Sequence, residues 1–303
     1  MDRNKLLNCP YTSRDVRNAN SLLGPCQLSL KGKATGTQRR SRNREVVELP
    51  RTILDRYGKI GFYADIMFVG GLAFLVTISS DIKCYSIAPV YGPDHCSGKT
   101  LLELIPETIR SYHKRGFRVI RFEGENELVY VADRLPGVAS SICAASGHDP
   151  EAEHEVRTIK ERCRCLWNQV PFKFLPRTLV KELVRTAVFW LNAVPPNHGV
   201  SKKLTPHELL SGHRLDFRQD SCLKFGDFIY VHNGSDNTMG SRTGSALALR
   251  PRGTSRGTWL CYSLVVGKAV VRHAWNKLPF DHLVVDRVHA LATIDGRPDL
   301  PNG

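Results

Sequence analysis

Asp65 interrupts an apolar run, FYADIMFV, where an ionised carboxylate is costly unless it is paired or binds a cation. Glu123 directly follows another apolar stretch, FRVIRF, and Glu153 falls in the first turns of a predicted helix opening at Asp149-Pro150. If the strands carrying Asp65 and Glu123 are neighbours, the three acids can converge at one end of a sheet. Three carboxylates meeting without a cation repel one another and hold on to protons. With Mg²⁺ they make a hard, oxygen-only site with room for substrate phosphates. Two such ions about 3.5–4 Å apart stabilise the attacking and leaving oxygens of an in-line phosphoryl displacement, and no protein nucleophile is required.

The helix of Glu153 adds a second pattern. Arg157, Lys160 and Arg164 follow it within about 40° of the same helix face at 100° per residue. Beside a metal site such a row could hold a DNA backbone; alone it could equally be a solvated face with intrahelical charge pairs.

The elements that must position these residues are legible in outline. Phe62–Val69, Leu72–Ile78 and Lys83–Val90 read as strands, with Gly70-Gly71 as a two-residue hairpin turn. A helix follows, with Thr100 and Glu103 as a capping box, Leu101, Ile105, Ile109 and Tyr112 as its stripe, and Gly116 as its stop. Pro106 should kink that helix or delay its start. Phe117–Phe122 predicts a fourth strand, Glu125–Leu135 a helix, and Val138–Ala144 a fifth strand. Helices are then predicted from Asp149 and over Arg177–Ala193. This order describes an α/β unit, a mixed five-stranded sheet with helices on its faces. Beyond Leu223, short runs (Asp227–His232, Ser245–Leu249, Trp259–Val266, Ala269–His273) alternate with Gly-rich turns, the texture of a small all-β, barrel-like module. The division expected is a basic leader and linker over 1–50, an α/β core over 51–215 and a β domain over 223–295.

Lys and Arg outnumber Asp and Glu by 43 to 29, for a net charge of +14 over 303 residues, which favours a polyanionic partner. Lys31, Lys33, Arg39, Arg40, Arg42 and Arg44 form a run among Gly, Ser and Thr that reads as a nucleic-acid arm, a nuclear-import signal or a plain linker. No signal-peptide core opens the chain, and the longest apolar run, Ile66–Val76, has 11 residues, too short to span a bilayer. Secretion and membrane insertion are therefore not expected. The nine cysteines include no CxxC pair, so buried free thiols in a reducing compartment are expected. Phe189, Trp190, Trp259 and Trp275 read as core aromatics, and Thr205-Pro206-His207-Glu208 with Gly212 as a capped short helix.

Several long motifs then stand in one order: NCPYTSRDVRNANSLLGP–LKGK, YADIMFVGGLAFLVTIS, PEAEHEVRTIKERCRCLWNQVPF, VFWLNAVP, KLTPHELLSG, RTGSALALRP and AWNKLP. In this order the chain resembles the integrases of copia-type retrotransposons, over nearly its whole length. The resemblance implies a ribonuclease H-like catalytic core, a small β domain of the Pol polyprotein, and Mg²⁺- or Mn²⁺-dependent processing and joining of element cDNA ends to target DNA. It implies DNA as partner, self-association into a homo-oligomer, and work in the nucleus, with the cytoplasm as the alternative. Asp65 matches the first acid of the family triad and Glu153 the last, while Glu123 stands where the family has aspartate and Asn126 where it has an aromatic. His154 replaces an arginine, and of the zinc module that precedes such cores only Cys9 has a counterpart. An added methylene moves a carboxylate by about 1 Å, and misplacement on that scale can cost on the order of 10²-fold in rate. Strand transfer is thus expected to be impaired, unless Glu123 still holds a metal or Glu125 swings in. The rival is a nucleic-acid-binding module that keeps the fold without the catalysis. With no protease before it and no reverse transcriptase after it, the chain reads as a decayed or excised piece of an element.

Overall fold

Gly70 and Gly71 take φ of 52° and 70°, the left-handed pair that lets two residues close a hairpin between right-twisted strands. They join β1 (Lys59–Val69) to β2 (Leu72–Ser79) in the computed structural model, which describes residues 10–33, 44–91, 98–143, 150–233, 239–253 and 257–296. β2 is buried along almost its whole length, as its near-continuous apolar sequence requires of a strand covered on both faces. β3 (Tyr85–Pro89) pairs antiparallel on its far side.

Helix α4 (Gly98–His113) then returns the chain to β4 (Arg118–Glu125), which lies parallel to β1, and β5 (Ala139–Cys143) lies parallel to β4. The sheet order is β3-β2-β1-β4-β5. Leu101, Ile105, Ile109 and Tyr112 of α4 cover one face together with α3 (Arg51–Tyr57) and α5 (Val129–Ala132). The other face carries α6 (Pro150–Gln169) and α7 (Arg177–Leu191), whose Val156, Ile159, Leu179 and Leu183 pack on Met67, Phe74 and Val76. The expected α/β architecture is present.

Short helices α8 (Pro206–Ser211) and α9 (Phe217–Asp220) lead to a second sheet. Its strands, β6 (Phe228–His232), β7 (Thr243–Pro251), β8 (Trp259–Ser263), β9 (Lys268–Arg272) and β10 (Trp275–Lys277), are all antiparallel in the order β10-β6-β7-β8-β9. Trp259 and Trp275 lie on strands three positions apart, which a flat sheet would separate by about 14 Å. Their rings meet at 6.1 Å, so this sheet is strongly curled around its own small core of Ile229, Val231, Ala246 and Cys261. Its other face, through Tyr230, Leu247, Leu249 and Tyr262, joins the same hydrophobic cluster as α7. Helix α10 (His282–Ile294) closes that cluster with Val284, Val288 and Leu291.

Several details depart from the sequence-based expectation. Pro106 sits within α4, which starts before Thr100 rather than after it. Glu125–Leu135 is not one helix: β4 runs on to Glu125, followed by a single 3₁₀ turn and the short α5. β10 and α10 have no counterpart among the elements expected from sequence. Helices α1 (Ser13–Leu23) and α2 (Gln27–Lys33) occupy part of the expected leader, and α1 buries none of its residues. Arg44, counted in the basic run, is instead folded in, its guanidinium 2.6 Å from Asp220 with the two side chains only 4% and 3% exposed. Arg39, Arg40, Arg42, Cys9 and Asp149 lie outside the described residues. Three thiols are buried as expected (Cys84, Cys163, Cys261), whereas Cys26, Cys165 and Cys222 are exposed.

Candidate functional site

Ile120 decides which way the acids of β4 point. Ile60 pairs with Val119 but Gly61 pairs with Arg121, so Ile120 is an extra residue in a bulge. The bulge lets Val119 and Phe122, three residues apart, both enter the α4 core, and turns Arg121, Glu123 and Glu125 to the opposite face. That is the face of Tyr63, Asp65 and Met67, beneath α6 and α7. Gly61 lies opposite the bulge, where an added Cβ would come within 3.0 Å of Ser80 Oγ and 3.3 Å of the Arg121 guanidinium, so that both side chains would have to shift by a few tenths of an ångström.

Arg121 uses that position to reach along its own strand, its Nε 2.8 Å from Glu123 Oε1. Glu123 pairs in register with Tyr63 and Gly124 with Ala64, and the next acid of β4, Glu125, acts most strongly on Asp65. Asp65 is half-buried, and its Oδ1 accepts a 2.6 Å hydrogen bond from the Ile66 amide. Burial, followed by the charge of Glu125, pushes its carboxyl up to about 6, with Glu127 adding to the rise and the Ile66 amide and Lys160 opposing it.

α6 supplies the cations. Its buried stripe of Val156, Ile159 and Cys163 fixes the helix rotation. Glu153, Arg157, Lys160 and Arg164 fall along one flank beside that stripe. Arg157 and Arg164 are exposed, and Lys160 is partly buried and near enough to Asp65 to act on its charge. Of that row, Lys160 is the cation that acts on Asp65.

The three acids named from the sequence are distributed differently from the expectation. Asp65 and Glu123 share a face of adjacent strands, but Glu123 is engaged by Arg121, and Glu153 stands exposed about 10 Å up the helix axis from Lys160. Among the described residues no group of three or more His, Cys, Asp or Glu side chains is placed to hold a metal ion. Asp65, Glu123 and Glu153 as they stand do not fit a three-carboxylate Mg²⁺ or Mn²⁺ centre. Glu125, the alternative that the sequence offered to Glu123, is the acid whose charge acts most on Asp65. Arg121, Glu123 and Glu125 alternate visibly in RFEGE, but the register that sets their level against Asp65 is not written there.

Thr205 and Glu208 form the expected reciprocal cap, and Gly212 ends the helix at φ 72°, so this motif is structural. No described helix is long and apolar enough to cross a membrane. The sequence matches no protein-family model and no curated protein. Among solved structures the chain is similar to the catalytic core domain of BIV integrase, with a TM-score of 0.35 and 13% identity, over 50% of this chain and 93% of that one. At this level no residue role passes from one chain to the other. Strand order and direction, with helices on both faces, define the class. The fold is ribonuclease H-like.

Proposed function

We propose that this chain is a DNA-binding protein built on an integrase-type core of copia-type descent, with its polynucleotidyl transfer impaired at the second acid. The observation that carries this reading is the Arg121–Glu123 ion pair on the face of Asp65, beside the cationic flank of α6. An arginine on Glu123 supplies the counter-charge that a divalent ion would otherwise provide. Arg157, Lys160 and Arg164 remain available to lie along a phosphate backbone, where each contact releases condensed counterions. The ordered motifs from YADIMFV to AWNKLP support the copia-type ancestry. On this reading the protein acts in the nucleus and self-associates on DNA.

A second reading, transfer chemistry that persists with Mg²⁺ or Mn²⁺, is favoured by one observation: Glu125, whose charge acts on Asp65, offers a second carboxylate in place of Glu123. One set of measurements separates the two. Binding of a 30-base-pair duplex is followed against salt, and joining of short duplex ends is followed with Mn²⁺. The proposal expects binding that weakens steeply with salt, a slope smaller by about 2 in Arg157→Glu/Arg164→Glu, and joining at least about 10²-fold slower than in Glu123→Asp. Joining by the wild type as fast as by Glu123→Asp, and lost in both Asp65→Asn and Glu125→Gln, would establish the second reading instead.

A further inference from the structure

The opposite flank of α6 faces a different site. Between α6, the C-terminal half of α7, β3 and the segment after α7 lies a cleft of about 1190 Å³. Its floor is apolar, formed by Leu166, Ala187, Trp190, Leu191, Val194 and Pro195. Val194 is 62% exposed within it, an apolar side chain left to solvent. Its rim carries Lys83, His154, Arg162 and His198. The formal cations of that rim, Lys83 and Arg162, outnumber the one acid lining it, Glu155, which accepts a hydrogen bond from the Tyr85 hydroxyl. Arg162 lies about 180° around α6 from Glu153, so the cleft and the Arg157–Arg164 row are separate surfaces of one helix.

Three observations narrow the occupant. The volume exceeds the roughly 300–1,000 Å³ of small-molecule pockets, which favours a chain segment. β3 is an edge strand, yet the Asn192 side chain already holds the outward backbone of Tyr85, accepting from its N–H at 2.9 Å and donating to its carbonyl at 2.8 Å. Strand addition is blocked at that point, leaving recognition by side chains in a groove. An apolar floor under a cationic rim complements an acidic segment with apolar anchors, and the protein's net charge of +14 would draw one in. Lys83 takes φ 54°, the sole non-glycine residue with positive φ among those described, a costly backbone setting that places a lysine on the rim.

We infer that this cleft is a docking site for an acidic, amphipathic peptide segment of a partner protein, separate from the proposed DNA surface. The test uses the full chain and a fluorescein-labelled 15-residue peptide with Leu and Phe on one helical face and Glu elsewhere, read by anisotropy. A peptide with Lys in place of every Glu and a 20-nucleotide oligo-dT serve as competitors. Arg162→Glu and Trp190→Ala should each weaken binding of the acidic peptide by about 10-fold or more, and Arg157→Glu/Arg164→Glu by less than about 2-fold. Arg162 is exposed, so Arg162→Glu should melt like the wild type and keeps the test decisive if Trp190→Ala unfolds. Equal binding of the Lys peptide, displacement by oligo-dT, or indifference to Arg162→Glu would overturn the inference. Duplex binding that fails while the peptide still binds would count against the DNA reading alone.

Discussion

Two acids on the α6–α7 side of the molecule, Asp65 and Glu182, live under opposite rules. Glu182 is 4% exposed on α7, and two arginines meet it: Arg185 from the same helix at 2.6 Å and Arg250 from β7 at 3.2 Å. Asp65 is less buried, but the charges nearest it include two further acids, and a single lysine opposes them. A buried acid supplied with matched cations fixes one element on another, here the second sheet on α7. A partly buried acid whose nearest charges are mostly acids gains little for the fold from its ionised form. Arg44–Asp220 belongs with Glu182, since it ties the segment before α3 to α9.

The comparison breaks first if the structural pairs are weak. Arg44→Ala leaves Asp220 buried without its guanidinium and should cost about 3–4 kcal/mol, seen as a fall in the urea midpoint. Glu182→Gln keeps the shape but strands two arginines, each partly exposed, and should cost about 2 kcal/mol. A loss below about 0.5 kcal/mol in both would mean that neither pair fixes its junction. Gly61→Ala is a gentler probe. Its Cβ would press on Ser80 Oγ and on the Arg121 guanidinium, shifting Arg121 against Glu123 at a cost of about 1 kcal/mol or less while leaving the core intact. If that ion pair holds back chemistry, Gly61→Ala should join DNA ends faster than the wild type in Mn²⁺.

The residues that the sequence made legible are those whose local chemistry dictates their conformation. Gly70-Gly71 demanded a hairpin, Thr205 and Glu208 demanded a helix start, and the apolar periods of β2, α6 and α7 demanded burial. What stayed hidden depended on partners distant in the chain. Arg44 looks like one cation among many until Asp220 folds against it. Ile120 looks like an ordinary strand residue until pairing with β1 makes it a bulge, and with it goes the choice between Glu123 and Glu125. α10 could have been found: Asp281 caps it, and Val284, Val288 and Leu291 recur at helical spacing. The all-β texture before it masked the change of period.

The smallest effect probes Asp65 itself. Its folded-state pKa of about 6 lies above the ordinary value of 3.8, so the folded protein holds this proton more tightly than the unfolded chain. That contribution to stability is complete below about pH 4 and is lost as pH rises through 6. An asparagine in its place would carry no charge at any pH, and the amide oxygen can still accept from the Ile66 N–H. Asp65→Asn should therefore melt with the wild type near pH 4 and above it at pH 8. Discounted for partial exposure, the gain is about 1 kcal/mol, or roughly 2 °C. A variant less stable than the wild type at pH 8 would mean that Lys160 outweighs Glu125 and Glu127. Asp65 would then join Glu182 among the acids that hold the fold together, and the contrast between the two regions would disappear.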